Sequence, residues 1–158
     1  MDIITIFSII TAISTSTFAL LAVYKYWTRP RLKITGYGKT ESTGVISFYA
    51  EVTRKGRRIA KRCLTQIQVS NYRYNGMWEN GYTKQDIYTS EKLLLFNIDK
   101  AQKTIIFLGD IKPEFITRPI SDYRDKNLEI VVTSENTESV SDKKTISQIF
   151  DKTGFKMP

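Results

Sequence analysis

From Ile3 to Tyr24 the chain runs for 22 residues without a charged side chain, IITIFSIITAISTSTFALLAVY. As a helix rising ~1.5 Å per residue, this run would be roughly 33 Å long, enough to cross a ~30 Å hydrocarbon core. It is only moderately apolar: Thr5, Ser8, Thr11, Ser14, Thr15, Ser16 and Thr17 interrupt it. Such hydroxyls can return their hydrogen bonds to the helix backbone. Tyr24, Tyr26 and Trp27 follow as an interfacial aromatic belt would. A cleaved signal peptide competes with a retained anchor, but only Asp2 stands where a positive n-region belongs. Cutting after Ala22 would also put Leu20 at the −3 position, which is not an A-x-A-like site. A buried core helix is a third reading, and the uncharged run is long for one. The sequence is therefore read as an anchor over residues 1–24, a basic and aromatic juxtamembrane linker over 25–30, and a folded domain over 31–158.

Lys25, Arg29, Arg31, Lys33 and Lys39 follow the span, and no Lys or Arg precedes it. The positive-inside rule then predicts a cytoplasmic domain and an N-terminus on the other side. Two silences agree. Cys63 is the sole cysteine, so no internal disulfide can form, and no Asn opens an N-x-Ser/Thr sequon. Ser8, Ala12 and Ser16, with Ala19 near the same face, make a small-residue stripe on which two anchors could pair as a weak homodimer. A lone lipid-facing helix explains the same residues.

Beyond Pro30 the periodicity changes to two. Arg31–Tyr37 puts Leu32 and Ile34 on one face, and Val45–Thr53 does the same with Ile46, Phe48, Ala50 and Val52. Cys63–Val69, Lys92–Ile98, Thr104–Leu108 and Leu128–Thr133 are further strand candidates. A turn is expected over Gly38–Gly44, another at Lys55-Gly56, and Asn75-Gly76 and Asn80-Gly81 are strong turn signals. The last apolar segment, Lys144–Phe150, fits a helical face through Ile146, Ile149 and Phe150, but is read as a final edge strand. The predicted fold is mainly β: an N-terminal transmembrane α-helix followed by an antiparallel immunoglobulin-like sandwich of about seven strands.

Gly56–Val69 (GRRIAKRCLTQIQV), Trp78 and Leu128–Ile146 (LEIVVTSENTESVSDKKTI) resemble segments of uncharacterised archaeal membrane-anchored proteins. Those proteins carry Ig-like, CARDB-like β-sandwich domains. The resemblance covers about half of the soluble part and is structural in kind. It implies adhesion or scaffolding and supplies no catalytic or ligand residues. A Pro-Gly turn usual in that pattern is missing before Leu93.

The formal net charge of +8 is unevenly placed. Residues 25–73 hold 12 Lys or Arg against Glu41 and Glu51, a net of +10. Six of these cations, Arg54, Lys55, Arg57, Arg58, Lys61 and Arg62, fall within nine residues. If the first strand leaves the membrane and the second returns, this loop lies at the membrane end. With Lys25, Arg29, Arg31 and Lys33 it would form a basic collar facing the lipid bilayer and its anionic headgroups. A solvated loop that merely enforces topology and a nucleic-acid or ribosome contact are the competing readings. By the same parity, Tyr72, Tyr74, Trp78 and Tyr82 would sit at the far end. They would either pack a hairpin or present a tip to an unidentified protein partner, a nucleic acid or a carbohydrate.

Little here supports catalysis. With no histidine there is no Ser-His or Cys-His pair and no histidine-carboxylate iron site. Thr35–Thr40 (TGYGKT) ends like a phosphate-binding loop, but Lys33 stands where its first Gly belongs, so it reads as a turn. Asp122, Asp125 and Glu129 match no calcium-loop spacing. Cys63 lies on an apolar strand face as a small hydrophobe. The expectation is a non-enzymatic binding or scaffolding module at the cytoplasmic membrane face, with no metal and no cofactor. An extracellular adhesion or envelope domain of opposite topology and a nucleic-acid-binding accessory domain are the alternatives.

Overall fold

The computed structural model describes residues 2–111 and 117–156. Helix α1 spans Ile3–Thr28, is long and apolar enough to cross a membrane, and has a window of mean hydropathy 2.0 with none of it buried. The hydroxyls of Ser8, Thr11, Ser14, Thr15 and Thr17 each donate to the carbonyl four residues back, at 2.8–2.9 Å. These five hydroxyls are met within the helix itself, as an apolar medium requires. The helix runs four residues past Tyr24, so Lys25–Thr28 of the juxtamembrane linker are helical and α1 stops just before Pro30.

Eleven strands follow among the described residues: β1 Arg31–Ser42, β2 Val45–Lys55, β3 Ala60–Val69, β4 Tyr72–Asn75, β5 Met77–Trp78, β6 Lys84–Ile87, β7 Ser90–Asp99, β8 Thr104–Phe107, β9 Thr117–Pro119, β10 Asn127–Ser134 and β11 Thr137–Thr145. Two short helices, α2 Ile120–Tyr123 and α3 Ile146–Thr153, complete the fold. All pairings are antiparallel and form two sheets. One has the order β1-β2-β7-β8-β9 with β5 also on β7; the other has β11-β10-β3-β4 with β6 also on β3.

The alternation of β2 puts Ile46, Phe48, Ala50 and Val52 inside, and β3 contributes Cys63, Thr65, Ile67 and Val69 from the other sheet. In β7 a bulge opposite Phe48/Tyr49 lets the consecutive Leu95 and Phe96 both enter the core. The chain changes sheet twice between β4 and β6. Gly76 marks the first crossing, where its N–H donates to the Thr65 carbonyl at 2.9 Å. Trp78 then lies fully buried, and its indole N–H donates to the Cys63 carbonyl of the opposite sheet at 3.3 Å.

Two expectations are corrected. Thr35–Thr40 is not a turn: β1 stays extended to Ser42, and the reversal is made by Thr43 and Gly44, both at positive φ. Gly38 remains in the strand, the Tyr49 ring occupying the space a Cβ would need. The final edge strand is β11, which ends at Thr145, and Ile146–Phe150 are helical. Thr145 and Gln148 form a reciprocal capping box that starts α3, and Gly154 at φ 66° ends it. This places Ile146, Ile149 and Phe150 in the core and folds Phe155 back onto Phe48 and Phe150, with ring centroids 5.5 and 5.0 Å apart.

Candidate functional site

The base of the sandwich is where α1 enters it. Arg29 and Pro30 join helix to strand, and Arg31 pairs directly with Lys55, so the β2–β3 loop lies beside the helix end. Gly56 closes that approach. At φ +105°, a Cβ here would stand 2.8 Å from the Arg29 carbonyl oxygen, a contact only glycine avoids. On a second side the Thr137 hydroxyl donates to the Pro30 carbonyl at 2.5 Å. The guanidinium of Arg58 reaches down along the helix and lies over the Tyr24 ring, 5.7 Å from its centroid.

The cations of this loop divide by what they already touch. Arg54 is half-buried, and its guanidinium donates to the carbonyls of Tyr88, Gly56 and Arg58. It shapes the loop from within. Arg62 sits at φ 49° on a bulge of β3, and its backbone N–H donates to Asp86 at 2.7 Å. Its guanidinium pairs with Glu135 at 2.8 Å, both groups being largely exposed, which partly neutralises it. Lys55, Arg57, Arg58 and Lys61 are exposed at the loop surface.

Neighbouring segments hold the bulge. Asn136, in the β10–β11 turn, accepts the Lys61 N–H and donates to the Ile59 carbonyl, each at 2.9 Å. Ser134 donates to the Lys61 carbonyl at 2.8 Å. These anchors come from residues more than 70 positions away, and nothing around Lys61 in sequence announces them.

Lys25, Arg29, Arg31 and Lys33 are exposed at the same base, on α1, the junction and the outward face of β1. A 370 Å³ cleft opens between the Arg29–Leu32 junction and the Thr137–Val140 segment of β11, with Tyr26 at its mouth. Tyr88, 57% exposed in the β6–β7 turn, stands at the same end and was not singled out from sequence. Its only signal was an aromatic in a polar turn.

The four aromatics expected at a distal tip are dispersed. Tyr74 and Trp78 are core residues, Tyr72 is half-buried on β4, and Tyr82 alone is exposed, in the turn before β6. They do not converge on a common surface. The turn signal at Asn75-Gly76 does not close a hairpin: Gly76 carries the chain from one sheet to the other, and Trp78 is buried.

Elsewhere the chemistry is structural. Burial pushes the Cys63 thiol above its usual value, and its Sγ donates weakly to the Ala60 carbonyl. Among the described residues no group of three or more His, Cys, Asp or Glu could hold a metal ion. The hydroxyl of Tyr37 on β1 donates to Asp142 on β11 at 2.8 Å, tying the edges of the two sheets together, and Lys144 pairs with the same carboxylate at 3.0 Å. Burial would raise the Asp142 carboxyl, but the Tyr37 hydroxyl and the Lys144 ammonium outweigh it and hold the group below its ordinary value. Burial first, then the Asp142 bond and charge, push the Tyr37 phenol upward. No family model, curated protein or solved structure matches this chain.

Proposed function

We propose that this protein is a single-pass membrane-anchored β-sandwich that acts as a non-catalytic binding or scaffolding module at the cytoplasmic face of the membrane. One observation carries the reading: the apolar helix and the exposed cations of the β2–β3 loop converge on one end of the sandwich, where Arg58 stacks over Tyr24. An apolar helix followed by a positive flank is the pattern by which membrane proteins orient.

The scaffolding role is supported by what the rest of the surface offers. Two antiparallel sheets present their outer faces, and the buried aromatics Tyr74 and Trp78 serve packing. The immunoglobulin-like assignment rests on the two antiparallel sheets and on Trp78 bridging them beside Cys63. The resemblance to archaeal CARDB-like domains rests on segments that form the basic loop with β3 and the β10–β11 hairpin.

Protease treatment of cells carrying a C-terminal tag tests the orientation. The tag should survive in intact cells and be lost on permeabilisation. Loss in intact cells would instead assign the domain to the outside, in adhesion or envelope structure.

A further inference from the structure

We infer that the β2–β3 loop seats the sandwich on anionic phospholipid headgroups of the same bilayer that α1 enters. The working cations are Lys55, Arg57, Arg58 and Lys61, with Arg54 and Arg62 held back for structure. This deepens the anchoring proposal above and rests on it.

Depth is the first argument. Tyr24 is four residues before the end of α1, so it lies ~6 Å below the sandwich base along the helix axis. The Arg58 guanidinium stacks at that level. A span whose uncharged stretch ends at Tyr24 puts this ring at the hydrocarbon boundary, and Arg58 among the phosphates. The offset is shorter than the roughly 8–10 Å over which such charges act at physiological salt. A guanidinium there can hold a phosphate with its N–H fork while its flat face keeps the tyrosine.

Presentation is the second. The loop is built to hold charge outward: Arg54 gathers three carbonyls beneath it, Gly56 lets it approach the helix, and Asn136 and Ser134 fix the bulge that displays Lys61. A loop needed only to satisfy topology would gain nothing from such bracing. Tyr24, Tyr26, Trp27 and Tyr88 are all more than half exposed around the same base, as residues that sit at a headgroup layer are. This mixture favours a lipid surface over nucleic acid, since the patch is crossed by the helix itself.

The test uses the full chain reconstituted in vesicles of phosphatidylcholine, with and without phosphatidylglycerol. Trypsin cutting at Arg57 and Arg58 is timed against cutting at Lys100 and Lys103, in the exposed turn at the opposite end of the sandwich. Phosphatidylglycerol should slow the loop cuts roughly tenfold relative to the distal ones, given several cations each acting on the anionic surface. The Lys55→Gln/Lys61→Gln double variant keeps both cut sites and should lose most of that protection. An unchanged ratio between the two lipids overturns the proposal. So does equal protection by soluble RNA on phosphatidylcholine vesicles, which would make the patch a nucleic-acid site. Flotation with phosphatidylcholine vesicles after an alkaline carbonate wash reads helix insertion alone. Its failure would remove the anchor reading, while the cutting ratio on phosphatidylglycerol vesicles would still judge the patch.

Discussion

Gly76 is the residue on which the sheet crossing depends. A Cβ there would meet Thr65 Oγ1 at 2.6 Å and the Ile67 and Leu93 Cδ1 atoms at 3.0 Å, so three core side chains would have to give way together. Overpacking of this kind costs about 1–3 kcal/mol. Gly76→Ala should therefore lower the melting temperature of the full chain in detergent by several degrees. Gly36→Ala is the control: no heavy atom lies within 4 Å of its added Cβ, so it should melt close to the parent protein. An equal shift for the two would remove the crowding argument. The same scale shows what was legible in the cations. Their number and clustering are plain in the sequence, but their commitments are not. Arg54 is spent on the Tyr88 carbonyl and Arg62 on Glu135, partners 34 and 73 positions away that only the folded sheets bring near.

At the scale of elements, burial on one face decided what could be read. β2 and β10 alternate because their inner residues are buried and their outer ones are not. β11 is an edge strand, TESVSDKKT, with no buried residue, so it carries no period-two signal to find. The short β4, β5 and β6 pair for a few residues each and switch sheets, which erases any alternation across them. α3 was in principle visible: Thr145, Gln148 and Gly154 form a start and a stop, and reading Ile146 and Phe150 as strand residues ignored both. Thr145→Ala removes the hydroxyl that accepts the Gln148 N–H and should cost about 1 kcal/mol. Slower hydrogen exchange in the first turn of α3 than in the parent would contradict that role; faster exchange there is expected.

For the whole molecule, the two sheets are coupled at their open edges as well as through the core, and that coupling is sensitive to pH. Asp142 has a folded pKa below its unfolded one, so its contribution is complete above the ordinary carboxylate range near ~4 and is lost as pH falls through the lower folded value. Tyr37 is shifted the other way. Its contribution is complete below ~10 and fades as pH rises toward its folded value. Unfolding measured from pH 6 down to 2 should show a shallower acid loss for Asp142→Asn than for the parent. Parallel acid limbs would mean the edge contact carries no pH-dependent stability. The two-sheet layout followed from periodicity, whereas this edge contact joins residues 105 positions apart and had no signature at all.

The joint between α1 and the sandwich has a mechanical consequence. Three contacts meet at it: Gly56 lies against the Arg29 carbonyl, the Thr137 hydroxyl donates to the Pro30 carbonyl, and Arg58 lies over Tyr24. In the proposed anchor the uncharged stretch Ile3–Tyr24 measures roughly 33 Å against a ~30 Å hydrocarbon layer, and a stretch longer than its layer leans to fit. A sandwich held to such a shaft by these contacts would lean with it. The thickness of the bilayer would then set the inclination of the domain and, through that lever, how far its outermost loops stand from the lipid.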